Sequence, residues 1–112
     1  MTKRNDGISL RQMRDHAQEA LDLVKNLTRE DIDYDRVLCL ALIQLLQITG
    51  EAATRVSEEK KEATAEIKWN SIIALRNRLI HGYDSINIDI LWSIIAKDLP
   101  ELVERLNVEI AD

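Results

Sequence analysis

The residues of this sequence best suited to acid–base and phosphate chemistry are Arg76 and His81, which stand five positions apart. An imidazole titrates near neutral pH, whereas a guanidinium stays charged and offers a planar fork of N–H donors to phosphate oxygens. Cleavage of RNA without a metal ion needs a base for the 2′-hydroxyl, an acid for the leaving oxygen and a cation for the phosphate. We therefore take Arg76 and His81 as candidate catalytic residues.

Their spacing does not by itself bring Arg76 and His81 together. Five residues of an ideal helix separate two side chains by roughly 140° around the axis. They could meet if His81 lies at a fraying helix end beside Gly82, or if two copies of the chain share one cleft in a symmetric dimer. Asn77 precedes His81 by one helical turn and is placed to orient its ring. Cations at a helix C-terminus are also favoured by the macrodipole, so the cluster has a purely structural explanation too.

Other catalytic chemistry finds little support. The sequence has no Cys-x2-Cys, no His-Glu-x2-His, no acidic cluster with ligand spacing and no glycine-rich phosphate loop, so we expect neither a metal nor a cofactor. Cys39 lies in an apolar run and is interpreted as packing, and His16 as an ordinary surface residue. The net charge of −5 argues against a broad electrostatic grip on nucleic acid, although a local site with a few arginines is allowed.

Composition favours one domain, residues 1–112, built from a few long helices. Hydrophobic residues make up 46% of the chain, but there are only three glycines, one proline and no phenylalanine to form turns. We find no run of 18 uncharged apolar residues and no signal-peptide stretch at the N-terminus. We therefore expect a soluble, cytoplasmic protein.

The hydrophobic pattern predicts an all-α, up-and-down bundle of four to six helices. Apolar residues recur at helical spacing in four segments, at about 9–27, 33–57, 67–82 and 88–110. Ser9 and Gln12 have capping-box spacing at the start of the first segment. Gly82 is placed to end the third, and Pro100 either kinks the fourth or begins a new helix. Residues 57–66 are expected to form a surface turn or a short solvated helix.

The second predicted helix is apolar around almost its whole circumference. Such a helix must be buried all round, which favours a homodimer, although a central place within its own bundle is the alternative. Three aspartates before it are interpreted as caps: Asp31, Asp33 and Asp35. Four polar residues form one line along it and either border a cleft or are simply solvated: Gln44, Gln47, Glu51 and Arg55. We count the first three, with Arg78, as candidate cleft-lining residues.

The segment from Trp69 to Tyr83 reads W-N-S-I-I-A-L-R-N-R-L-I-H-G-Y, with an Arg-x4-His-x-Tyr core. It resembles the motif of HepT-type toxins of the HEPN ribonuclease superfamily. Further resemblance lies in the Gly-Glu-Ala-Ala run at 50–53 and in residues 92–102, so that the similarity covers roughly residues 35 to 106.

This resemblance implies a dimeric helical bundle with metal-independent endoribonuclease activity toward RNA. It also implies a separately encoded partner, a minimal nucleotidyltransferase antitoxin that transfers adenylyl groups from ATP to Tyr83 and silences the toxin. Arg76 and His81 match the family's catalytic positions, and Asn77 matches the polar residue after the arginine, where it would orient one of the two as the third candidate catalytic residue. Because this chain lacks a nucleotidyltransferase motif, the modification is expected to occur in trans.

Two other functions stay open at this stage. The chain could be a non-catalytic helical module that binds a nucleotidyltransferase or a nucleotide, with Arg76 serving the partner's phosphates. It could also be a helical dimerisation protein without a site.

Overall fold

The computed structural model describes residues 5–82 and 86–110, with the backbone alone at 81 and 82. This part of the chain contains no β-strand, which confirms the predicted all-α, HEPN-like fold. It folds into seven α-helices and one π-helical segment, in the order α1 (Asp6–Leu23), α2 (Arg29–Asp33), α3 (Arg36–Thr54), α4 (Glu58–Ala63), α5 (Trp69–Gly82), α6 (Ile88–Ser93), the π-helical segment (Ile94–Asp98) and α7 (Leu99–Glu109).

Helix α1 begins one turn earlier than the sequence pattern predicts. Asn5 is its cap, and the side-chain oxygen of Asn5 accepts a hydrogen bond from the backbone N–H of Ile8 at 3.2 Å. The predicted Ser9 cap is therefore wrong, because Ser9 is buried within the helix. Asp6 strengthens the earlier start, since its carboxylate accepts hydrogen bonds from the backbone N–H and the hydroxyl of Ser57 before α4. After α1, Asn26 adopts a left-handed conformation with φ of 67°, which turns the chain.

The predicted second helix, about residues 33–57, corresponds to α3, and the short helix α2 precedes it. Asp31 closes the start of α2 by accepting from the backbone N–H of Thr28 at 2.6 Å, and Asp35 caps α3 by accepting from the N–H of Leu38 at 3.0 Å. Asp33 instead forms an ion pair with Arg29. The Asp35 cap satisfies an N–H group at the start of α3, so this helix begins at Arg36.

Helix α3 is the centre of the bundle, with α1 and α5 as its main neighbours. Its largest side chains face the core, including Leu42, Ile43, Leu45 and Leu46. Cys39 is also buried there, and burial raises the pKa of its thiol, as expected for a packing residue. Within the described chain, α3 alone is long and apolar enough to cross a membrane by length and composition, but half of it is buried, as in the core helix of a bundle.

One narrow line of α3 is not covered by its own bundle. Val37 is 77% exposed and Leu40 is 37% exposed, and Tyr34 just before the helix is 90% exposed. The central position of α3 therefore explains most of its apolar character. Only this line of large hydrophobic side chains on α3 stays exposed to solvent.

Helix α5 is fixed at its start and along one side. The Trp69 indole N–H donates to the hydroxyl of Thr64 at 3.1 Å, and both side chains are buried. Further along, Leu79 is buried in the core between the helices. This packing places α5 on α3 and fixes which of its residues face that helix.

The C-terminal segment changes its helical geometry before Pro100. Residues Ile94–Asp98 form a π-helical turn, and α7 then begins at Leu99 with the proline in its first turn. A proline removes one backbone N–H and crowds the carbonyl four residues earlier, and a widened turn accommodates both. Asp98 and Leu99 both keep right-handed helical dihedral angles, so Pro100 follows a π-helical turn within a continuous helical backbone.

Candidate functional site

The candidate site is built where α3 and α5 approach each other most closely, at Gly50. A Cβ atom placed on Gly50 would lie 2.3 Å from Cβ of Arg76 and 3.3 Å from the backbone oxygen of Ile72. No side chain fits in that space, so glycine allows the two backbones to come together there. The sequence did carry a signal for this contact, because a glycine inside a long apolar helix costs stability unless a neighbour needs the space.

The close approach sets Arg76 of α5 beside Glu51 of α3. The Arg76 Nε–H donates to Oε2 of Glu51 at 2.8 Å, and Nη2 of Arg76 lies 2.5 Å from the same oxygen. The Arg76 side chain is 26% exposed and that of Glu51 is 40% exposed, so the pair lies at the rim of the bundle, partly open to solvent. Glu51, predicted as a cleft-lining residue, therefore contacts the candidate catalytic arginine directly.

Asn77 completes the described surroundings of the arginine. Its side-chain oxygen accepts a hydrogen bond from Nη1 of Arg76 at 2.8 Å. The sequence suggested that Asn77 could orient the His81 ring, whereas the described contact of Asn77 is with Arg76. The guanidinium of Arg76 is thus held at two places on its edge, by Glu51 at Nε and Nη2 and by Asn77 at Nη1.

A second cation stands on the other side of Glu51. Nη2 of Arg55 lies 3.9 Å from Oε1 of Glu51, and the Arg55 side chain is exposed. One carboxylate therefore lies between two guanidinium groups, and this local group carries a net positive charge on a chain whose net charge is −5.

The polar line of α3 continues from Glu51 into a shallow groove. Gln44 and Gln47 line it together with Leu40, Ile43 and, from α5, Ile80. Since Arg76 precedes Ile80 by one helical turn, the arginine lies on the same side of α5 as this groove. Gln44 and Gln47 therefore line this groove, and Glu51 follows Gln47 by one helical turn along the same line of α3.

Arg78 belongs to a different surface. It lines a pocket of about 450 Å³ between α5 and the C-terminal helices, with Leu75 of α5 and Leu102 of α7 among the lining residues. Two residues along a helix turn the side chain about 200° away from Arg76. Arg78 therefore lines this pocket and not the groove that Gln44 and Gln47 line.

The remaining candidates lie at or beyond the end of the described part of α5. The backbone of His81 is helical, so the offset of about 140° from Arg76 applies to it, but its side chain lies outside the described residues. Tyr83 also lies outside them. His16, interpreted as a surface residue, has Nδ1 2.7 Å from the backbone oxygen of Gln12 within its own helix.

The described fold and site define a helical bundle that holds an arginine, by a carboxylate and an amide, one helical turn from a shallow groove. Comparison with known proteins identifies the family: residues 13–108 match the model of the HepT-like ribonucleases. The chain belongs to this family.

Individual relatives agree with that assignment. A candidate RNase of Caldanaerobacter subterraneus is 35% identical over 77% of each chain, and a probable ribonuclease HepT of Thermococcus cleftensis is 34% identical over 75% of this chain and 80% of its own. A candidate RNase of Methanocaldococcus jannaschii is 26% identical over 96% of this chain and 99% of its own. No solved structure matches the chain.

The contact at Gly50 can be tested by adding one methyl group. We expect Gly50→Ala to lower the free energy of unfolding by about 1–3 kcal/mol, because the new Cβ collides with Arg76 and the backbone of α5 must move. Urea denaturation followed by circular dichroism measures the change.

Gly7→Ala is the matched control, since Gly7 also lies in a helix. A Cβ there would lie 3.1 Å from Nη1 of Arg11 and 3.3 Å from Oδ1 of Asn5, so these side-chain ends need to shift by only a few tenths of an ångström, and the Asn5 cap can remain. We expect its free energy of unfolding to stay within about 1 kcal/mol of the parent chain. Equal stability of the two variants would show that α3 and α5 are not in close contact at Gly50.

Proposed function

We propose that this protein is the toxin of a HEPN and minimal-nucleotidyltransferase toxin–antitoxin pair and cleaves RNA without a metal ion. The observation that carries the proposal is the guanidinium of Arg76, the arginine of the Arg-x4-His-x-Tyr motif, which Glu51 and Asn77 hold in place at the rim of the bundle, one helical turn from the groove. Membership of a ribonuclease family supports RNA as the substrate.

The proposed reaction uses two residues of the motif. The 2′-hydroxyl oxygen attacks the neighbouring phosphorus, and the bond from phosphorus to the 5′-oxygen breaks. His81 takes the proton of the 2′-hydroxyl or supplies one to the departing 5′-oxygen, while Arg76 binds the scissile phosphate as its charge increases. The products are a 2′,3′-cyclic phosphate and a free 5′-hydroxyl.

A homodimer is part of the proposal. The exposed apolar line of Tyr34, Val37 and Leu40 on the outer side of α3, with Ile80 of α5 beside the cleft, offers a surface for a second copy. A two-fold axis along this surface would bring two motifs toward one opening and supply one histidine as acid and another as base. We place this dimer in the cytoplasm, as one domain per chain.

The proposed partner is a minimal nucleotidyltransferase that acts in trans. It would transfer AMP from ATP to the phenol oxygen of Tyr83, forming a bond between that oxygen and the α-phosphorus and releasing pyrophosphate. The added phosphate would carry negative charge next to the cationic group around Arg76, and would compete with RNA for the guanidinium.

The activity is tested with purified protein and total RNA in the presence of EDTA. We expect cleavage to cyclic-phosphate ends, and losses of about 100-fold or more for Arg76→Ala and His81→Ala, since proton transfer and charge stabilisation contribute at least that much. His16→Ala is the matched histidine control and should cleave like the parent chain.

Cleavage that survives His81→Ala would refute the assigned role. Intact RNA, combined with an Arg76-dependent complex with the nucleotidyltransferase, would instead establish the non-catalytic binding module.

The modification is tested by mass spectrometry after co-expression with the partner. We expect AMP on the peptide that contains Tyr83 and none after Tyr83→Phe. Tyr34 is the other tyrosine and is 90% exposed, so Tyr34→Phe controls for unspecific labelling of an accessible phenol and should leave the modification unchanged. Labelling of Tyr34, or labelling that persists in Tyr83→Phe, would contradict the proposed regulation.

A further inference from the structure

We propose that Glu51 is a positioning residue, which turns the Arg76 guanidinium so that its two terminal nitrogens face the RNA phosphate. This inference rests on the proposed function, because it assigns the arrangement by which Arg76 receives its substrate.

The inference follows from which N–H groups of Arg76 already have a partner. A guanidinium has five N–H donors. Nε–H donates to Oε2 of Glu51, Nη2 lies 2.5 Å from the same oxygen, and one hydrogen of Nη1 points at the side-chain oxygen of Asn77. With respect to the described residues, one hydrogen on each terminal nitrogen is left, and such a pair can bind two oxygens of a phosphate.

The carboxylate occupies the edge of the guanidinium that contains Nε. An arginine with both edges free can offer a phosphate either its Nε edge or its outer end, and those two poses place the phosphorus differently. Glu51 takes the first pose away, so a phosphate can approach only the outer end. Restricting the geometry in this way favours the transition state, because misplacement of about 1 Å can cost roughly 100-fold in rate.

Two features of the fold fix the carboxylate itself. Gly50 lets α3 and α5 touch next to Glu51, so the distance between the two side chains is set by the backbones. Arg55 lies 3.9 Å from Oε1 of Glu51, on the oxygen that Arg76 does not use. Glu51 therefore lies between one cation from each helix, and the closer and less exposed of the two is Arg76.

The alternative roles of Glu51 make different predictions. If the Glu51 carboxylate accepted the proton of the 2′-hydroxyl, the Gln and Ala variants would lose RNA cleavage equally, because neither side chain can act as a base. A carboxylate that only weakens the positive charge of Arg76 would, once removed, leave RNA bound more tightly. A positioning residue should be rescued in part by Gln, whose side-chain oxygen can still accept from Nε and Nη2 of Arg76.

The test compares the kcat/KM of RNA cleavage for Glu51→Ala, Glu51→Gln and the same changes in an Arg76→Ala background. We expect a loss of about 10- to 100-fold for the alanine variant and a clearly smaller loss for the glutamine variant. In the Arg76→Ala background, neither change should reduce cleavage further, since Glu51 acts through the arginine. Equal losses in Ala and Gln, tighter RNA binding, or an undiminished effect without Arg76 would each overturn the proposal.

Glu109→Gln is the matched control, because Glu109 also forms an ion pair between helices, with Lys60 at 3.1 Å, and its carboxylate is not a partner of Arg76. It should cleave RNA within about twofold of the parent chain. A comparable loss of cleavage in this variant would show that losing any ion pair between helices lowers activity, whether or not it contacts Arg76.

A measurement without RNA separates this inference from the proposed function. In a nitrogen-15 NMR spectrum, the Nε–H signal of Arg76, identified by its absence in Arg76→Lys, should exchange slowly with water in the parent chain and faster in Glu51→Ala. If the parent chain does not cleave RNA but shows this difference, the proposed function fails while the positioning of Arg76 stands. If exchange is fast in the parent chain, Glu51 does not hold the guanidinium and the inference fails.

Discussion

The contact between α3 and α5 at Gly50 is the constraint on which the rest of the site depends. A backbone approach this close fixes where Arg76 can stand, and it brings the helix that carries the motif onto the helix that carries Glu51. The pair is not a large source of stability, because both side chains are partly exposed. Its importance is geometric, since it converts a flexible arginine into a donor group with a defined orientation.

The bundle around this contact explains how so short a chain can hold a site. Helix α3 uses most of its circumference for the core, against α1 on one side and α5 on another. Its remaining line begins with apolar residues, Val37 and Leu40, and continues with polar ones from Gln44 to Arg55. A single helix therefore provides the core of the protomer, the surface proposed for a second copy and one wall of the cleft.

Much of the fold could be predicted from the sequence, and the failures have physical causes. Periodicity gave the all-α class, and the Arg-x4-His-x-Tyr motif gave the family. The predicted N-cap at Ser9 was wrong because Asn5 caps α1 one turn earlier and Asp6 bonds to Ser57. Capping-box spacing reports only local sequence, so it cannot predict a hydrogen bond to a residue 51 positions away. Arg78 lines a different pocket from the groove near Arg76, because two residues that are close in sequence on a helix can face opposite sides. The pairing of Arg76 with Glu51, 25 residues away, depends on the packing at Gly50, which periodicity does not encode.

The central claim is that Arg76, held by Glu51, receives a phosphate of RNA. A crystal structure of the protein with a 2′-fluoro RNA oligonucleotide, which lacks the attacking hydroxyl, tests it most directly. The account predicts a phosphate bound to Nη1 and Nη2 of Arg76 while Nε remains on Glu51. A phosphate bound elsewhere, or an Arg76 side chain that has left Glu51 to bind it, would contradict the account.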